Sequence, residues 1–273
     1  MKIEITNPEK IIYPKQKIKK IDVVKYYYDI ADVMLPFVKN RLLAVIRCHG
    51  GIGEECFFKK HPTNDADVCQ RFFDGDEEYF FVKTKQEILG QVQMGTLEFH
   101  TWASNVENLE KPNMMVFDLD PDEKLPLSKL RDAVLKLKSV LDDLSLQSFL
   151  KTSGGKGYHI VVPFKACGGW ENFYGFSKQI ALLAEGKWPN IFTTNIKKSA
   201  RGGKIFLDYL RNNRGSTCVA PYSLRARDGG GISMPIAWQD LPRIKPNEIT
   251  IKNYQKFQTN AWQDFFNIKQ KIK

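Results

Sequence analysis

The segment that most constrains the fold of this chain is the run from Met114 to Pro121, in which apolar, strand-compatible residues end in two carboxylates. Pro121 removes the backbone N–H that a longer strand would need, so we expect the acids at the end of a strand. Side chains alternate along a strand, which puts Asp118 and Asp120 on one face with Cα atoms roughly 6.5 Å apart. Two carboxylates at this spacing can share divalent metal. The alternative is an Asp-rich turn, because Asp and Pro also suit loops.

The length and composition are typical of a globular protein. The 273 residues fit one large α/β domain or two closely packed halves, and no repeat, low-complexity stretch or linker divides them. No apolar run reaches the length of a membrane span, and the N-terminus lacks the apolar region of a signal peptide. We therefore expect no membrane partner and a cytoplasmic protein, associated with the nucleoid if it binds DNA.

The five cysteines are odd in number and form no Cys-x-x-Cys pair. Neither a disulfide framework nor a standard zinc knuckle is therefore expected. One irregularly spaced set of zinc ligands can be drawn, consisting of Cys48, His49, Cys56 and His61. We expect buried thiols instead.

The formal net charge of +10 suggests an anionic partner. The basic residues gather in four segments, at 10–25, 197–204, 211–227 and 269–273. Solvated lysine faces explain much of such a surplus in any protein, so charge alone does not establish nucleic-acid binding.

Adjacent aromatic residues and several basic groups share a predicted β-hairpin. Residues 41–47 and 55–61 have strand composition and flank a glycine-rich turn. Because side chains alternate, Phe57 and Phe58 cannot both face the core. They stand among four basic groups, namely Arg47, Lys59, Lys60 and His61. This composition suits stacking a base while holding a nucleic-acid backbone; the alternative is that one phenylalanine packs in the core.

Apolar residues at three- and four-residue steps predict amphipathic helices at 21–38, 86–94, 128–144 and 173–184. Ser128 is the expected N-cap of the third helix. A further strand at 97–102 should place Glu98, His100 and Trp102 on one face.

A glycine-rich loop lies between two predicted strands. Residues 153–157 read Ser-Gly-Gly-Lys-Gly, in which glycine lets backbone amides approach an anion and Lys156 can neutralise it. The loop is not a Walker A motif, because a strand rather than a helix follows it. A triphosphate held between two strands would fit, and the alternative is an ordinary glycine hairpin.

A second short apolar strand, at 205–208, also presents an acid. Asp208 can therefore be the third ligand of a carboxylate cluster, with Arg201 above it for phosphate oxygens. Two metal ions about 3.5 to 4 Å apart, held by such acids, stabilise the attacking and leaving oxygens in phosphoryl transfer.

Together these motifs resemble the archaeo-eukaryotic primase superfamily, and more narrowly the polymerase module of bacterial ligase D and its stand-alone relatives. The resemblance rests on Asp118-Leu119-Asp120, on the loop from Ser153 to His159, and on the segments 206–209, 99–102 and 222–225. It runs from residue 7 to about residue 241. It implies an α/β (α+β) fold in which an RRM-like catalytic sheet packs with a second β-rich subdomain.

The resemblance also assigns the metal and nucleotide contacts. Asp118, Asp120 and Asp208 match acids that hold two divalent ions, Mn²⁺ or Mg²⁺. His100 matches a residue near the incoming sugar. The triphosphate contacts are matched by Ser153, Lys156, His159, Arg201 and Arg225.

The same resemblance assigns the DNA contacts. Lys10 and Lys20 match lysines that grip a downstream 5′-phosphate. Phe57 and Phe58 match aromatic residues near the template, and Lys60 of the same hairpin is a further candidate. The implied organisation is one domain, 1–273, with a DNA-binding part at about 1–65, a catalytic core at about 66–245 and a C-terminal helical tail at about 246–273.

The implied activity is nucleotidyl transfer by a DNA-dependent DNA/RNA polymerase. It would use NTPs or dNTPs, preferentially ribonucleotides, to fill gaps and extend ends during non-homologous end joining. Its expected partners are DNA with gaps, overhangs or a 5′-phosphate, the Ku protein and a separate ligase, since no ligase or nuclease region accompanies the module.

Three alternatives remain. A manganese-dependent glycosyltransferase also uses an Asp-x-Asp pair, but it leaves the glycine-rich loop, the third acid and the basic charge unexplained. A primase for replication or damage tolerance shares the motifs. A catalytically silent nucleic-acid-binding protein explains only the charge and the aromatic residues.

Overall fold

The structure, a computed structural model, describes residues 4–63, 68–197, 199, 201–257 and 261–272. The α-helices of this part of the chain are α1 (Lys20–Val38), α2 (Lys85–Gln93), α3 (Leu127–Asp143) and α4 (Trp170–Lys187). The first seven strands are β1 (Ile11–Tyr13), β2 (Ile18–Lys19), β3 (Leu43–Arg47), β4 (Phe57–Lys59), β5 (Gln70–Asp74), β6 (Glu77–Phe81) and β7 (Thr96–Thr101). The next seven are β8 (Met114–Pro121), β9 (Phe149–Thr152), β10 (Tyr158–Pro163), β11 (Phe192–Thr193), β12 (Ile205–Asp208), β13 (Cys218–Val219) and β14 (Pro235–Ile236).

The larger sheet has six strands in the order β11-β12-β8-β10-β9-β14. Only β11 and β12 pair in parallel; the other neighbours are antiparallel. Strand β8 is central, and its Met115, Phe117 and Leu119 are fully buried, so hydrophobic burial holds this strand in place. Helices α3 and α4 pack against the strand. The prediction that the two acids end an apolar strand is confirmed.

The second sheet has four strands in the order β13-β7-β3-β4. It contains the predicted hairpin, in which β3 and β4 pair antiparallel. The two sheets meet where Lys151 Nζ donates a hydrogen bond to the carbonyl of Val219, 3.0 Å away. A catalytic sheet with a second β-rich part confirms the predicted α/β (α+β) class. Strands β3 and β4 of the N-terminal part belong to the same sheet as β7, so this part shares a sheet with later residues. The boundary expected at about residue 65 lies outside the described residues.

The predicted helices are present with shifted ends. The main error concerns α3, whose expected N-cap Ser128 lies inside the helix. Pro126 precedes the first helical residue instead, with φ −60° and ψ 144°. Proline suits a helix start because it has no N–H and its φ is already near the helical value.

The expected helical tail at 246–273 is not found in the described residues. Residues 246–257 and 261–272 contain only two single-turn 3-10 helices, Tyr254–Lys256 and Phe265–Asn267. Trp262 is buried, and its indole N–H donates to the carbonyl of Leu150 at 2.9 Å. Phe265 also packs in the core, so separate aromatic anchors rather than a helical face attach this segment.

The expectation of unpaired thiols is partly wrong, because Cys48 and Cys56 form a disulfide with a Cα–Cα distance of 4.4 Å. Arg47 and Phe57 are register partners in β3 and β4, which brings the adjacent cysteines together. The disulfide occupies two of the four candidate zinc ligands and so excludes that site. The free cysteines of the described residues are Cys69 and Cys218, both buried, and the exposed Cys167.

Within the part of the chain that the structure describes, no helix is long and apolar enough to cross a membrane.

Candidate active site

Three neighbouring strands of the larger sheet align two acids and a histidine. Asp118 on β8 lies opposite Asp208 on β12 and opposite His159 on β10. Directly opposed residues in antiparallel strands have Cα atoms about 5 Å apart and point to the same face. Asp120, two residues further along β8, shares that face. The three predicted metal ligands therefore lie side by side on the sheet.

Each of the two acids of β8 has a basic partner. Nε2 of His159 lies 3.3 Å from Oδ1 of Asp118, and Arg201 Nη1 donates to Oδ2 of Asp120 at 2.7 Å. Burial opposes ionisation of Asp118, but the charge and hydrogen bond of His159 lower the pKa of this carboxyl to about 2. Asp118 is therefore ionised at neutral pH.

The third acid is also engaged by a cation. Arg211 Nε donates to Oδ2 of Asp208 at 3.0 Å, and the backbone N–H of Leu210 donates to Oδ1 at 2.9 Å. Burial raises the pKa of Asp208, although the charge of Arg211 opposes this shift. Its side chain is 9% exposed, against 25% for Asp118 and 43% for Asp120, so Asp208 is the least exposed of the three acids.

The carboxylates of Asp118, Asp120 and Asp208 are suitable ligands for a divalent metal, but their side chains are not arranged around a common ion position. Among the described residues, no group of three or more His, Cys, Asp or Glu side chains is placed to hold an ion. Carboxylate oxygens are the ligands that Mg²⁺ and Mn²⁺ prefer. Arg201 and Arg211 each donate to one carboxylate oxygen, Oδ2 of Asp120 and Oδ2 of Asp208, so an ion would bind beside these two guanidinium groups.

A cavity of about 310 Å³ opens in front of β8 and β10. The predicted site residues that line it are Phe58, His100, Asp118, Asp120, Ser153, Lys156, His159 and Arg225. Asp208, Arg201, Phe57 and Lys60 are not among its lining residues. The first two still belong to the site, because Arg201 contacts Asp120 and Asp208 pairs across the sheet with Asp118.

The glycine-rich loop between β9 and β10 is organised by its own serine. Ser153 Oγ accepts hydrogen bonds from the backbone N–H groups of Gly155 and Gly157, both at 3.1 Å. The serine O–H proton is therefore free to donate to an anion. A Cβ on Gly157 would lie 2.2 Å from the carbonyl oxygen of Leu119, so only glycine lets the loop pass this close to β8. Lys156 pairs with Glu123 at 2.8 Å, and both side chains are exposed.

A buried glutamate joins two side chains, those of His100 and Arg225, at the other side of the cavity. Oε2 of Glu98 accepts hydrogen bonds from His100 Nε2 and Arg225 Nε, each at 2.9 Å. Arg225 Nη1 also donates to the carbonyl of Ser153 at 2.6 Å. Burial opposes the charge of Glu98, but the hydrogen bond from His100 and the charge of Arg225 lower its pKa to about 2. The prediction that Glu98 and His100 share a face is confirmed.

Sequence reasoning missed Lys151, a fully buried lysine of β9. Its Nζ lies 2.9 Å from His159 Nδ1 and donates to Ser233 Oγ at 2.6 Å. Burial lowers the pKa of Lys151 to about 8. Lys151 follows Phe149 and Leu150 in a predicted strand, which was a signal for this role because a charge is rarely buried without a partner.

Three further titratable residues of the cavity wall were not singled out, namely Arg211, Cys218 and Arg227. Arg211 and Arg227 lie in the basic segment 211–227, so the charge pattern contained them without indicating which would face the cavity. Cys218 Sγ lies 3.4 Å from Nδ1 of His159. That contact joins two sheets and has no signal in local sequence.

The aromatic pair of β4 faces outward. Phe57 and Phe58 are 48% and 60% exposed, so the alternative that one of them packs in the core is wrong. The Phe58 ring lies 6.3 Å from the ring of His100 in an edge-on arrangement. Lys60, immediately after β4, is exposed. An exposed aromatic strand therefore borders the cavity.

A second cavity, of about 340 Å³, is lined by Lys10 and Lys20. Lys10 Nζ donates to the carbonyl of His49 at 2.8 Å, and Lys20 Nζ donates to the carbonyl of Thr6 at 2.9 Å. Neither ammonium group has a carboxylate partner among the described residues. Burial, and then the charge of Lys10, lower the pKa of Lys20. Two uncompensated cations therefore face one cavity.

The fold and this arrangement define a protein of the nucleotidyltransferase class. The family model "LigD, primase-polymerase domain" matches residues 19–266, and the chain belongs to this family. Members of the family are nucleotidyltransferases of the DNA polymerase type, which generally need divalent metals. Membership excludes the glycosyltransferase alternative.

Two curated relatives and one solved structure illustrate the similarity. The multifunctional non-homologous end joining protein LigD of Pseudomonas aeruginosa is 34% identical over 281 residues, covering 99% of this chain and 34% of that protein. The bifunctional LigD of Bacillus subtilis is 32% identical over 242 residues, covering 88% and 39%. This chain thus spans about a third of the length of these relatives. The polymerase domain from Mycobacterium tuberculosis ligase D in complex with DNA superposes with a TM-score of 0.86 at 26% identity, covering 93% of each chain.

Proposed function

We propose that this chain is a DNA-dependent polymerase that fills gaps and extends broken ends in non-homologous end joining, with a preference for ribonucleotides. One observation carries the proposal. A single cavity joins the acids of β8 to the serine-lysine loop and to the pair His100 and Arg225. The serine-lysine loop and Arg225 suit the charged phosphates of a nucleoside triphosphate, and His100 suits its sugar. Both the curated relatives and the solved neighbour support this reading.

The triphosphate contacts follow from the chain's own donors. The free O–H of Ser153 and the guanidinium of Arg225 would bind phosphate oxygens beside Asp118 and Asp120. Lys156 can leave Glu123 for a phosphate, because a surface ion pair is weak. Asp118, Asp120 and Asp208 would hold Mn²⁺ or Mg²⁺, which stabilises charge on the attacking and leaving oxygens.

The DNA contacts would come mainly from the part of the chain before about residue 65. Phe57 and Phe58 are exposed and can stack on template bases, with Lys60 beside them for a phosphate. Lys10 and Lys20 would bind a downstream 5′-phosphate in their own cavity. We further propose that an end-binding Ku protein and a DNA ligase act with this chain on the same DNA ends.

Primer extension tests the proposal directly. The protein is incubated with a primed DNA template, Mn²⁺ and either ribonucleotides or deoxyribonucleotides. We expect template-directed addition, with ribonucleotides favoured in competition. DNA binding without extension would support the catalytically silent alternative. Synthesis on an unprimed single strand would support the primase alternative.

A further inference from the structure

We propose that Glu98 is a positioning residue that orients His100 to accept a hydrogen bond from the sugar of the incoming nucleotide and joins sugar recognition to triphosphate recognition. This inference rests on the proposed function, since it requires a nucleotide in the cavity. It adds to that function the origin of the sugar preference and a link between the two ends of the substrate.

The link consists of three hydrogen bonds to a single carboxylate. Oε2 of Glu98 accepts from His100 Nε2 and from Arg225 Nε, while Oε1 accepts from the backbone N–H of Ala226 at 2.7 Å. The side chain of Glu98 is 2% exposed, and those of His100 and Arg225 are 14% and 13% exposed. Glu98 itself is therefore closed to substrate, whereas its two partners line the cavity.

The carboxylate determines which histidine nitrogen carries the proton. An ionised carboxylate only accepts hydrogen bonds, so Nε2 of His100 must be protonated. Burial, acting against the attraction of Glu98, lowers the pKa of His100, so the ring is neutral at neutral pH. Its Nδ1, which has no protein partner among the described residues, is then an acceptor. A sugar hydroxyl can donate to it, and a 2′-deoxy sugar lacks one such donor.

The same carboxylate orients Arg225 toward the glycine-rich loop. Arg225 is held at Nε by Glu98 and donates through Nη1 to the carbonyl of Ser153 at 2.6 Å. His100, Glu98, Arg225 and Ser153 thus form one continuous chain of hydrogen bonds from the sugar side to the triphosphate side. Such preorganisation confines each donor or acceptor to the direction that the substrate needs.

A simpler role for Glu98 is that of counter-ion to Arg225. The two roles differ in a measurable quantity. A counter-ion affects the KM of every nucleotide alike, because it acts only through the phosphates. A residue that orients His100 also changes the ratio between ribonucleotide and deoxyribonucleotide use. The discriminating measurement is therefore this ratio of kcat/KM values.

The test compares wild type with Glu98→Gln, His100→Ala and the double variant. A glutamine amide presents a donor toward either His100 and Arg225 or the N–H of Ala226, so it cannot satisfy all three donors. We expect Glu98→Gln to reduce the ribonucleotide preference about tenfold, the effect of one lost hydrogen bond. His100→Ala should reduce it similarly, and adding Glu98→Gln to His100→Ala should not reduce it further. Glu107→Gln, a surface change, should leave the ratio unchanged.

Binding of ATP and dATP, measured by calorimetry without primer, gives a readout that does not need extension. If the wild type does not extend a primer, the proposed function is rejected. The role of Glu98 is still supported if the wild type binds ATP more tightly than dATP and Glu98→Gln removes that difference. An unchanged ratio in Glu98→Gln overturns the inference, as does equal use of both nucleotides by the wild type. A further loss in the double variant also overturns it, because Glu98 would then act without His100. If Glu98→Gln fails to fold, Glu98→Asp decides, since its shortened carboxylate keeps the charge but cannot reach all three donors.

Discussion

Lys151 lies directly behind His159, with its Nζ 2.9 Å from Nδ1, and the opposite ring nitrogen of His159 lies 3.3 Å from Asp118. Lys151 and His159 cannot both carry a proton along their shared hydrogen bond, so the pair holds one positive charge beside Asp118. The carbonyl of Val219 and the hydroxyl oxygen of Ser233 accept two hydrogen bonds from the Lys151 amino group. The buried Lys151 side chain therefore sets the direction in which His159 faces the acids.

We predict that Lys151→Met lowers kcat for nucleotide addition about 100-fold, because His159 loses the partner that orients it. DNA binding should change little, since Lys151 is buried. Steady-state extension and DNA-binding anisotropy measure the two quantities. Lys187→Met, which removes a surface lysine paired with Asp143, is the matched control. A wild-type kcat in Lys151→Met would contradict the role.

Asp208→Ala should abolish nucleotide addition while leaving DNA binding largely intact. The substitution removes stabilisation of the transition state rather than any part of the basic surface. Single-turnover extension at saturating Mn²⁺ provides the measurement, with Asp143→Ala as a surface control. Near wild-type activity in Asp208→Ala would remove this acid from the catalytic set.

Gapped DNA with a downstream 5′-phosphate should bind more tightly than the same DNA with a 5′-hydroxyl. A terminal phosphate carries about −1.5 to −2 charge, so Lys10 and Lys20 favour it over an internal diester. Lys10→Ala combined with Lys20→Ala should erase the difference. Added salt should reduce the affinity for both DNAs, as counterion release requires. Equal binding of the two DNAs by wild type at low salt would exclude the pocket.

Glu98 should make the stability of the protein depend on acid pH. Its pKa is about 2 in the folded state against an ordinary value of 4.5. A lowered pKa contributes stability that is present above pH 4.5 and lost as the pH falls toward 2. The contribution is on the order of 3 kcal/mol at most. Urea unfolding of wild type and Glu98→Gln should therefore differ most near neutral pH, and a difference that grows on acidification would contradict the assignment.

Reduction of the disulfide should destabilise the hairpin of β3 and β4. Cys48 and Cys56 are 8 residues apart, and a loop of this length corresponds to about 2 to 3 kcal/mol of stabilisation. We expect dithiothreitol to lower the Tm of wild type by roughly 5 °C. A double variant, Cys48→Ser with Cys56→Ser, should be insensitive to the reductant. Equal Tm values for wild type with and without reductant would show that the bond contributes nothing.

Local pattern determined most of the elements and the identity of the chemical groups. The apolar run before Asp118 predicted β8, and helical spacing predicted α1, because both periodicities reflect burial of one face over a few residues. Alternation likewise placed Glu98 and His100 on one face of β7. The glycine spacing after Ser153 predicted the tight loop. Where a nearby proline competed with the pattern, as at Ser128, the prediction was wrong. The helical tail that the resemblance implied is not found in the described residues, where separate aromatic anchors attach the C-terminal segment.

Only the tertiary structure decided which groups meet. Asp208 and His159 flank Asp118 because strand order and register place β12 and β10 beside β8, and neither is visible in local sequence. The partners of the acids, the pairing of Cys48 with Cys56 and the burial of Lys151 behind His159 depend in the same way on segments distant in the chain. Contacts of this kind are selected by the free energy of the whole packed core, whereas sequence periodicity reports only which face of each element is buried.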